Sequence, residues 1–172
     1  FLPMLPVQIL VNNLIYDISE LGIPFDRVAA EETAAPQVWD MAALKRFTFV
    51  MGAVSSLFDL ATFVMLLRGF HVDEATFRTA WFVESMATQV LVIFVIRSGR
   101  RLFASWPHPA LVASSLGALA VALALPFTPP GEWLSFVPLS AGLCAAIVGL
   151  VGAYLATALV ARRWARPTVS RQ

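Results

Sequence analysis

The segment VQILVNNLIYDISELGIPFD, residues 7–26, places polar side chains inside an apolar run that has the character of a membrane helix. A helix that crosses a bilayer needs about 20 mainly apolar residues. An ionisable group at the centre of such a helix costs at least ~2.5 kcal/mol on insertion scales. An interaction of structural or functional value must therefore offset the cost of the polar side chains in this segment. They are Asn12, Asn13, Tyr16, Asp17 and Glu20.

The composition of the whole chain is typical of a membrane protein. Of its 172 residues, 59% are hydrophobic and 13% are charged, and the mean hydropathy is +0.76. About a quarter of the residues of a soluble domain are charged. The net charge of +1 gives no electrostatic basis for binding nucleic acid. No basic region precedes the first apolar run, so we expect a piece of a longer protein rather than a signal peptide.

Five apolar runs are long enough to cross a bilayer. We therefore predict an all-α fold, a polytopic membrane bundle of five transmembrane helices that forms one domain over residues 1–172. The runs lack the alternating pattern that membrane strands require. The predicted spans cover about residues 2–23, 47–70, 79–96, 109–127 and 139–161.

The basic residues predict the orientation of the chain in the membrane. With five spans, the 24–46 loop, the RSGRR connector and the C-terminal tail lie on the same side, and they carry ten of the twelve Lys and Arg residues. Basic residues concentrate on the cytoplasmic side of membrane proteins. We therefore predict an integral membrane protein whose C-terminus is cytoplasmic, and we expect it in a bacterial inner membrane. Only Arg68 and Arg78 lie on the opposite side.

The polar residues of the first span form one pattern. Asn13, Tyr16, Asp17 and Glu20 are spaced i, i+3, i+4 and i+7, which places them on one face of a helix. Their oxygen atoms suit hard cations such as Mg²⁺ or Ca²⁺. We predict Asn13 and Asp17 as cation ligands, with Tyr16 as a third candidate. The segment could stay helical, whereas local unwinding near Asp17 would free backbone carbonyls as further ligands. The alternative to cation binding is hydrogen bonding between helices.

Four further side chains are weaker candidates for contact with a transported ion. Glu20 lies near the cytoplasmic end of its span and can reach water. Asp59 shares a helix face with Ser55, and we favour a hydrogen bond to a neighbouring helix for it. In the third span, Glu84 lies close to the outer interface, where solvation is an alternative, and Gln89 lies deeper. The last two spans carry stripes of small residues, which predict packing helices.

The chain lacks the motifs of an enzyme active site. It has no GxxxxGK[ST] loop, no GxSxG elbow and no HExxH helix. His71 and His108 both lie in connectors. We therefore predict no catalytic residue and no cofactor-binding residue in this chain.

The quoted segment resembles the sixth membrane helix of the P-type cation-transporting ATPases, together with the loop that follows that helix. The calcium pumps of the family carry an Asn-x-x-Thr-Asp motif there, and the matching positions here are Asn13, Tyr16 and Asp17. Tyr replaces Thr, and the motifs NNLIYD, IPFD, SSLFD and WFVES are similar to the magnesium-transporting branch. Gln89 lies about where the calcium pumps place an acidic ligand.

The resemblance implies the C-terminal membrane segment of such a pump, helices six to ten, with Mg²⁺ as the transported ion. It implies that ATP is used by upstream domains, because the chain contains no DKTGT motif. The implied partners are upstream membrane helices, cytoplasmic ATPase domains and the lipid bilayer. The alternatives are a pump for another cation such as Ca²⁺, a helical scaffold without an ion site, and a stand-alone intramembrane enzyme.

Overall fold

The computed structural model describes residues 2–26, 41–97 and 106–165. Within these ranges every regular element is helical, which confirms the predicted all-α class. Short turns at Ile23–Phe25 and Leu125–Phe127 are 3₁₀ helices, and Met65–Gly69 is a π-helical extension of the helix before it. The α-helices are α1 Pro6–Glu20, α2 Met41–Val64, α3 Glu74–Arg97, α4 Pro109–Ala124, α5 Pro129–Trp133 and α6 Ala141–Ala165.

Among the described residues, four helices are long and apolar enough to cross a membrane. They correspond to the second, third, fourth and fifth predicted spans. The second and third are longer than predicted, because charged residues continue these helices beyond the apolar runs. The fourth has the predicted bounds, and the fifth is one residue shorter than predicted. The four segments are Leu44–Gly69, Glu74–Arg97, Pro109–Phe127 and Ala141–Arg162.

The first predicted span is shorter in the structure. Helix α1 contains 15 residues, which corresponds to about 22 Å, against a hydrocarbon core of about 30 Å. Pro6 occupies its first turn, and the helix gives way to a 3₁₀ turn that contains Pro24. The structure does not confirm α1 as a fifth span. Of the two alternatives for the backbone at Asp17, the structure shows the continuous helix, because α1 extends to Glu20.

Helix α3 is the centre of the bundle. Its Phe77, Phe82, Met86 and Val90 are fully buried. It packs against α6 on one side and against α1 and α4 on the other, and α2 packs against α6. Helices α1 and α4 therefore form one edge of the bundle, and α2 forms the opposite edge.

The connector TPPGEWLSFVP, between the fourth and fifth predicted spans, contributes to the core. It contains the short helix α5, and Phe136 is only 2% exposed. The Phe136 ring packs on Phe82 with 4.6 Å between ring centroids. The backbone N–H of Val137 donates a hydrogen bond to Oγ1 of Thr79 at 3.0 Å. Because these contacts join residues far apart in the chain, no local pattern predicts them.

At the opposite end of the bundle, one carboxylate joins three helices. Asp26, just beyond α1, forms an ion pair with Arg97 at the end of α3, with 2.9 Å between Nη2 and Oδ1. The same Oδ1 accepts a hydrogen bond from the backbone N–H of His108, which precedes α4, at 2.9 Å. Gly22 lies directly against the backbone of Leu111. The contacts fix α1 relative to α3 and α4.

Candidate cation-binding site

One face of α1 is buried against the rest of the bundle. Its members Gln8, Asn12, Ile15 and Ser19 recur at spacings of three and four residues. Gln8 Nε2 donates a hydrogen bond to the carbonyl oxygen of Leu134 at 3.1 Å. This buried face holds α1 in place. It includes Gln8 and Ser19, polar residues for which the sequence pattern predicted no role.

The C-terminal end of the buried face is fixed to α4 by hydroxyl groups. The hydroxyls of Ser114 and Ser115 both donate hydrogen bonds to the carbonyl oxygen of Ser19, at 2.9 and 3.1 Å. These bonds satisfy a carbonyl at the end of α1 that has no partner within the helix. The orientation of α1 about its own axis is therefore determined at both ends.

The residues predicted as ligands lie on the other side of α1. Asn13 and Asp17, one turn apart, are both exposed in this chain, as are Leu10 and Leu14 beside them. Tyr16 and Glu20 are half-buried, and their side chains contact each other. We name the surface formed by Asn13, Tyr16, Asp17 and Glu20 the Asn13–Asp17 face. The described helices leave most of this face uncovered.

The Asn13–Asp17 face offers oxygen ligands without a positive partner. Asp17 forms no salt bridge with any other described residue. Across the described residues, no group of three or more His, Cys, Asp or Glu side chains could hold a metal ion. A cation at this face would therefore need amide, hydroxyl or backbone oxygens, or ligands from outside the described residues, besides the Asp17 carboxylate.

Gln89 does not belong to the Asn13–Asp17 face. Its Oε1 accepts a hydrogen bond from Nδ2 of Asn12 at 3.4 Å, across the contact between α1 and α3. The Oδ1 of Asn12 is buried and has no hydrogen-bond partner among the described residues. The sequence pattern predicted Asn13 as a cation ligand and predicted no role for Asn12. The spacing of Gln8, Asn12 and Ser19 is the signal that would have indicated the second polar stripe.

Glu84 and Asp59 lie away from α1. Glu84 is 1% exposed, so it is buried rather than solvated at the outer interface. Helix α3 begins at Glu74, so Glu84 lies well inside the helix rather than at its outer end. Glu74 itself is exposed and forms an ion pair with Arg78 at 2.8 Å. Asp59 on α2 is exposed and has no hydrogen bond to another described residue.

A cavity of about 380 Å³ adjoins the Asn13–Asp17 face at the Asp26–Arg97 end of the bundle. It lies between α1, α3 and α4. The side chains of Tyr16 and Glu20 line it together with Asp26 and Arg97. The cavity thus connects two members of the predicted site with the ion pair at that end of the bundle.

These features define an all-helical chain with four candidate membrane-spanning helices among its described residues and with an uncovered, oxygen-bearing helix face. The chain matches the family described as "Cation transporting ATPase, C-terminus" over residues 1–164, and it belongs to that family. The matched region is the C-terminal part of larger ATPases. The resemblance deduced from NNLIYD and IPFD is confirmed.

Individual relatives agree with the family match. The chain is 36% identical over 163 residues to "Magnesium-transporting ATPase, P-type 1" of Escherichia coli strain K12, a match that covers 90% of this chain. It is 39% identical over 150 residues to the protein of the same description from Salmonella typhimurium strain 14028s, covering 81% of this chain. The chain spans 18% and 16% of the lengths of these two relatives.

Proposed function

We propose that this chain is the C-terminal membrane part of a magnesium-translocating P-type ATPase and that the Asn13–Asp17 face forms one wall of its transport site. The observation that carries the proposal is the exposure of Asn13 and Asp17 on a helix otherwise anchored by its buried face. The relatives described as magnesium-transporting ATPases support Mg²⁺ as the cargo.

The chemistry of the face suits a partly hydrated Mg²⁺ ion. Mg²⁺ requires near-octahedral oxygen ligands, and it commonly keeps several waters while one or two carboxylates bind it. Asp17 supplies the charged ligand, the Asn13 side chain supplies a carbonyl oxygen, and Tyr16 supplies a hydroxyl. The remaining ligands come from membrane helices upstream of this chain. ATP is used by cytoplasmic domains of the same full-length protein.

The proposal includes a membrane position for α1 and an orientation for the chain. Helix α1 crosses the membrane together with its non-helical flanks, as the first of five spans, and upstream helices cover the Asn13–Asp17 face. Non-helical backbone is tolerated at membrane depth where it is buried in protein, and the upstream helices would cover the flanks of α1 in this way. The Asp26–Arg97 end faces the cytoplasm of a bacterial cell, because the basic residues concentrate there.

Replacement of Asp17 tests the proposal. In the full-length protein, Asp17→Asn keeps the size of the side chain and removes its charge. We expect it to lower Mg²⁺-activated ATPase activity and Mg²⁺ transport by at least about tenfold, the order found when support for a metal ligand is lost. Asp73→Asn, in an exposed connector, is the matched control and should behave as wild type.

The alternative functions predict different outcomes of the same experiment. Wild-type activation of Asp17→Asn by Mg²⁺ at normal expression would mean that the face is a scaffold surface and would refute the site. A calcium pump would show activation by Ca²⁺ at concentrations where Mg²⁺ has no effect. Tyr16, in place of the Thr of the calcium pumps, favours the magnesium pump.

A further inference from the structure

Arg78 on α3 joins this helix to the backbone that leads into α1. Its Nε donates a hydrogen bond to the carbonyl oxygen of Leu2 at 3.2 Å, and its Nη2 donates to Oε2 of Glu74 at 2.8 Å. The Arg78 side chain is 20% exposed, against 56% for Glu74. Because the guanidinium is planar and rigid, the bond to Glu74 orients the nitrogen that holds Leu2.

The carbonyl of Leu2 belongs to a segment without regular structure. Residues 2–5 precede the first turn of α1 and are not helical. Backbone N–H and C=O groups of such a segment need partners, most of all at membrane depth. The N–H of Leu5 donates to Oε1 of Gln8 at 3.0 Å, and the carbonyl of Leu2 accepts from Arg78. Side-chain hydrogen bonds therefore fix the path by which the chain enters α1.

Arg78 closes a ring of contacts at this end of the bundle. Gln8 of α1 donates to the carbonyl oxygen of Leu134 in the TPPGEWLSFVP connector. The same connector donates to α3 through the N–H of Val137 and Oγ1 of Thr79, which is the residue after Arg78. The bond from Arg78 links the segment before α1 directly to α3, so each of the three parts is tied to the other two.

Arg78 lies on the side of the predicted topology where basic residues are scarce. Of the twelve Lys and Arg residues, only Arg68 and Arg78 lie on this side. Arg68 is exposed and forms no ion pair with any other described residue. The two arginines thus share their side of the membrane but differ in their contacts, which makes Arg68 a matched control for Arg78.

We propose that Arg78 is a positioning residue for the transport site. By holding the carbonyl of Leu2, it fixes where α1 begins and therefore where the Asn13–Asp17 face lies. Helix α1 is continuous over 15 residues, so a displacement of its first turn is passed along the helix to Asn13, about two turns further on. Mg²⁺ requires near-octahedral ligand geometry, so such a displacement weakens binding. The inference rests on the proposed function of this face.

Mg²⁺ titration of ATPase activity in the full-length protein, at a fixed concentration of the Mg–ATP complex, tests this role. We expect Arg78→Gln to raise the Mg²⁺ concentration for half-maximal activity by about tenfold, the lower limit for residues that orient a metal ligand. The maximal rate should stay close to wild type, because saturating Mg²⁺ restores occupancy. Arg78→Lys keeps the charge but lacks the fork of donors, so its increase should be smaller. Arg68→Gln should behave as wild type.

The outcomes separate positioning from a purely structural role. An unchanged half-maximal Mg²⁺ concentration in both Arg78→Gln and Arg78→Lys would overturn the inference. So would a loss of thermal stability and maximal rate at an unchanged half-maximal Mg²⁺ concentration. If Arg78→Gln does not fold, Arg78→Lys decides alone, because it keeps the charge and a long side chain.

Asp17→Asn, measured in parallel, distinguishes a failure of this inference from a failure of the proposed function. A wild-type response of Asp17→Asn to Mg²⁺ would refute the transport site itself and, with it, the positioning role. Loss of Mg²⁺ activation in Asp17→Asn, together with wild-type behaviour of both Arg78 variants, would refute the role of Arg78 and leave the site in place.

Discussion

At the scale of single residues, Asn12 and Asn13 explain why two amides occur together in an apolar helix. Neighbouring residues on a helix point in directions about 100° apart. Asn12 is therefore buried against Gln89 of α3, whereas Asn13 is exposed beside Asp17. The two amides have different partners: one holds helices together, and the other belongs to the proposed ion site.

The adjacent asparagines form a matched pair of mutations. We expect Asn13→Ala to raise the Mg²⁺ concentration for half-maximal ATPase activity several-fold without changing thermal stability. Asn12→Ala leaves Gln89 without its partner, so it should lower the free energy of unfolding by about 1–3 kcal/mol with little change in Mg²⁺ activation. Mg²⁺ titrations and thermal unfolding of both variants in detergent are the measurements. Identical behaviour of the two variants would contradict this division of roles.

At the scale of elements, contacts at both ends of the bundle fix the position of α1. They are made by the TPPGEWLSFVP connector at one end and by the Asp26–Arg97 ion pair at the other. The connector accepts a hydrogen bond from Gln8 through the carbonyl of Leu134. At the other end, Gly22 lets the chain approach α4 so closely that a Cβ would lie 2.6 Å from the carbonyl oxygen of Ala110. The position of the Asn13–Asp17 face therefore depends on both ends of α1.

The close approach at Gly22 predicts the effect of a methyl group. Gly22→Ala would collide with the α4 backbone, and overpacking of this kind costs about 1–3 kcal/mol. We expect lower thermal stability and reduced Mg²⁺-dependent activity, because α1 must shift. Gly117→Ala on α4, where a Cβ meets nothing within 4 Å, is the control. Equal stability of the two alanine variants would show that α1 does not rest on α4 there.

Phe136, the buried aromatic residue of the TPPGEWLSFVP connector, gives a second prediction at the scale of elements. Phe136→Ala removes the ring that packs on Phe82 and should lower the free energy of unfolding by about 3–5 kcal/mol, as for other buried aromatic residues. Phe127→Ala, at a position that is 58% exposed, should have a much smaller effect. Chemical denaturation of the purified protein compares them. A small loss at Phe136 would mean that the connector is peripheral.

At the scale of the whole molecule, the distribution of charged residues distinguishes the two ends of the bundle. Arg97 and Arg162 lie at one end, with the Asp26 ion pair. Glu132 and Trp133 are exposed at the opposite end. Because basic residues concentrate on the cytoplasmic side of membrane proteins, we predict that the Arg97 end faces the cytoplasm.

Cysteine labelling in intact cells tests this orientation. In a variant that lacks Cys144, an impermeant thiol reagent should label Glu132→Cys from outside the cell. Trp106→Cys, at a position that is 90% exposed, should react only after the membrane is opened, because it lies at the Arg97 end. The cysteine-free variant controls for background. The reverse pattern of labelling would invert the topology.

The sequence by itself determined the helices and the grouping on α1. Apolar length is a local property, so the second to fifth predicted spans match α2, α3, α4 and α6. Helical periodicity is also local, so it correctly placed Asn13 and Asp17 one turn apart on one face. The motifs NNLIYD and IPFD were sufficient to indicate the family that the comparison shows.

The tertiary structure alone decided which face of each helix is covered. Periodicity gives the angle between Asn12 and Asn13 but not which of them meets a neighbouring helix. Glu84 is buried on α3, the helix against which α1, α4 and α6 pack, and Phe136 is buried because its connector folds back onto Phe82. The physical reason is the same in each case: burial arises from contacts between residues distant in the chain, which no local spacing encodes.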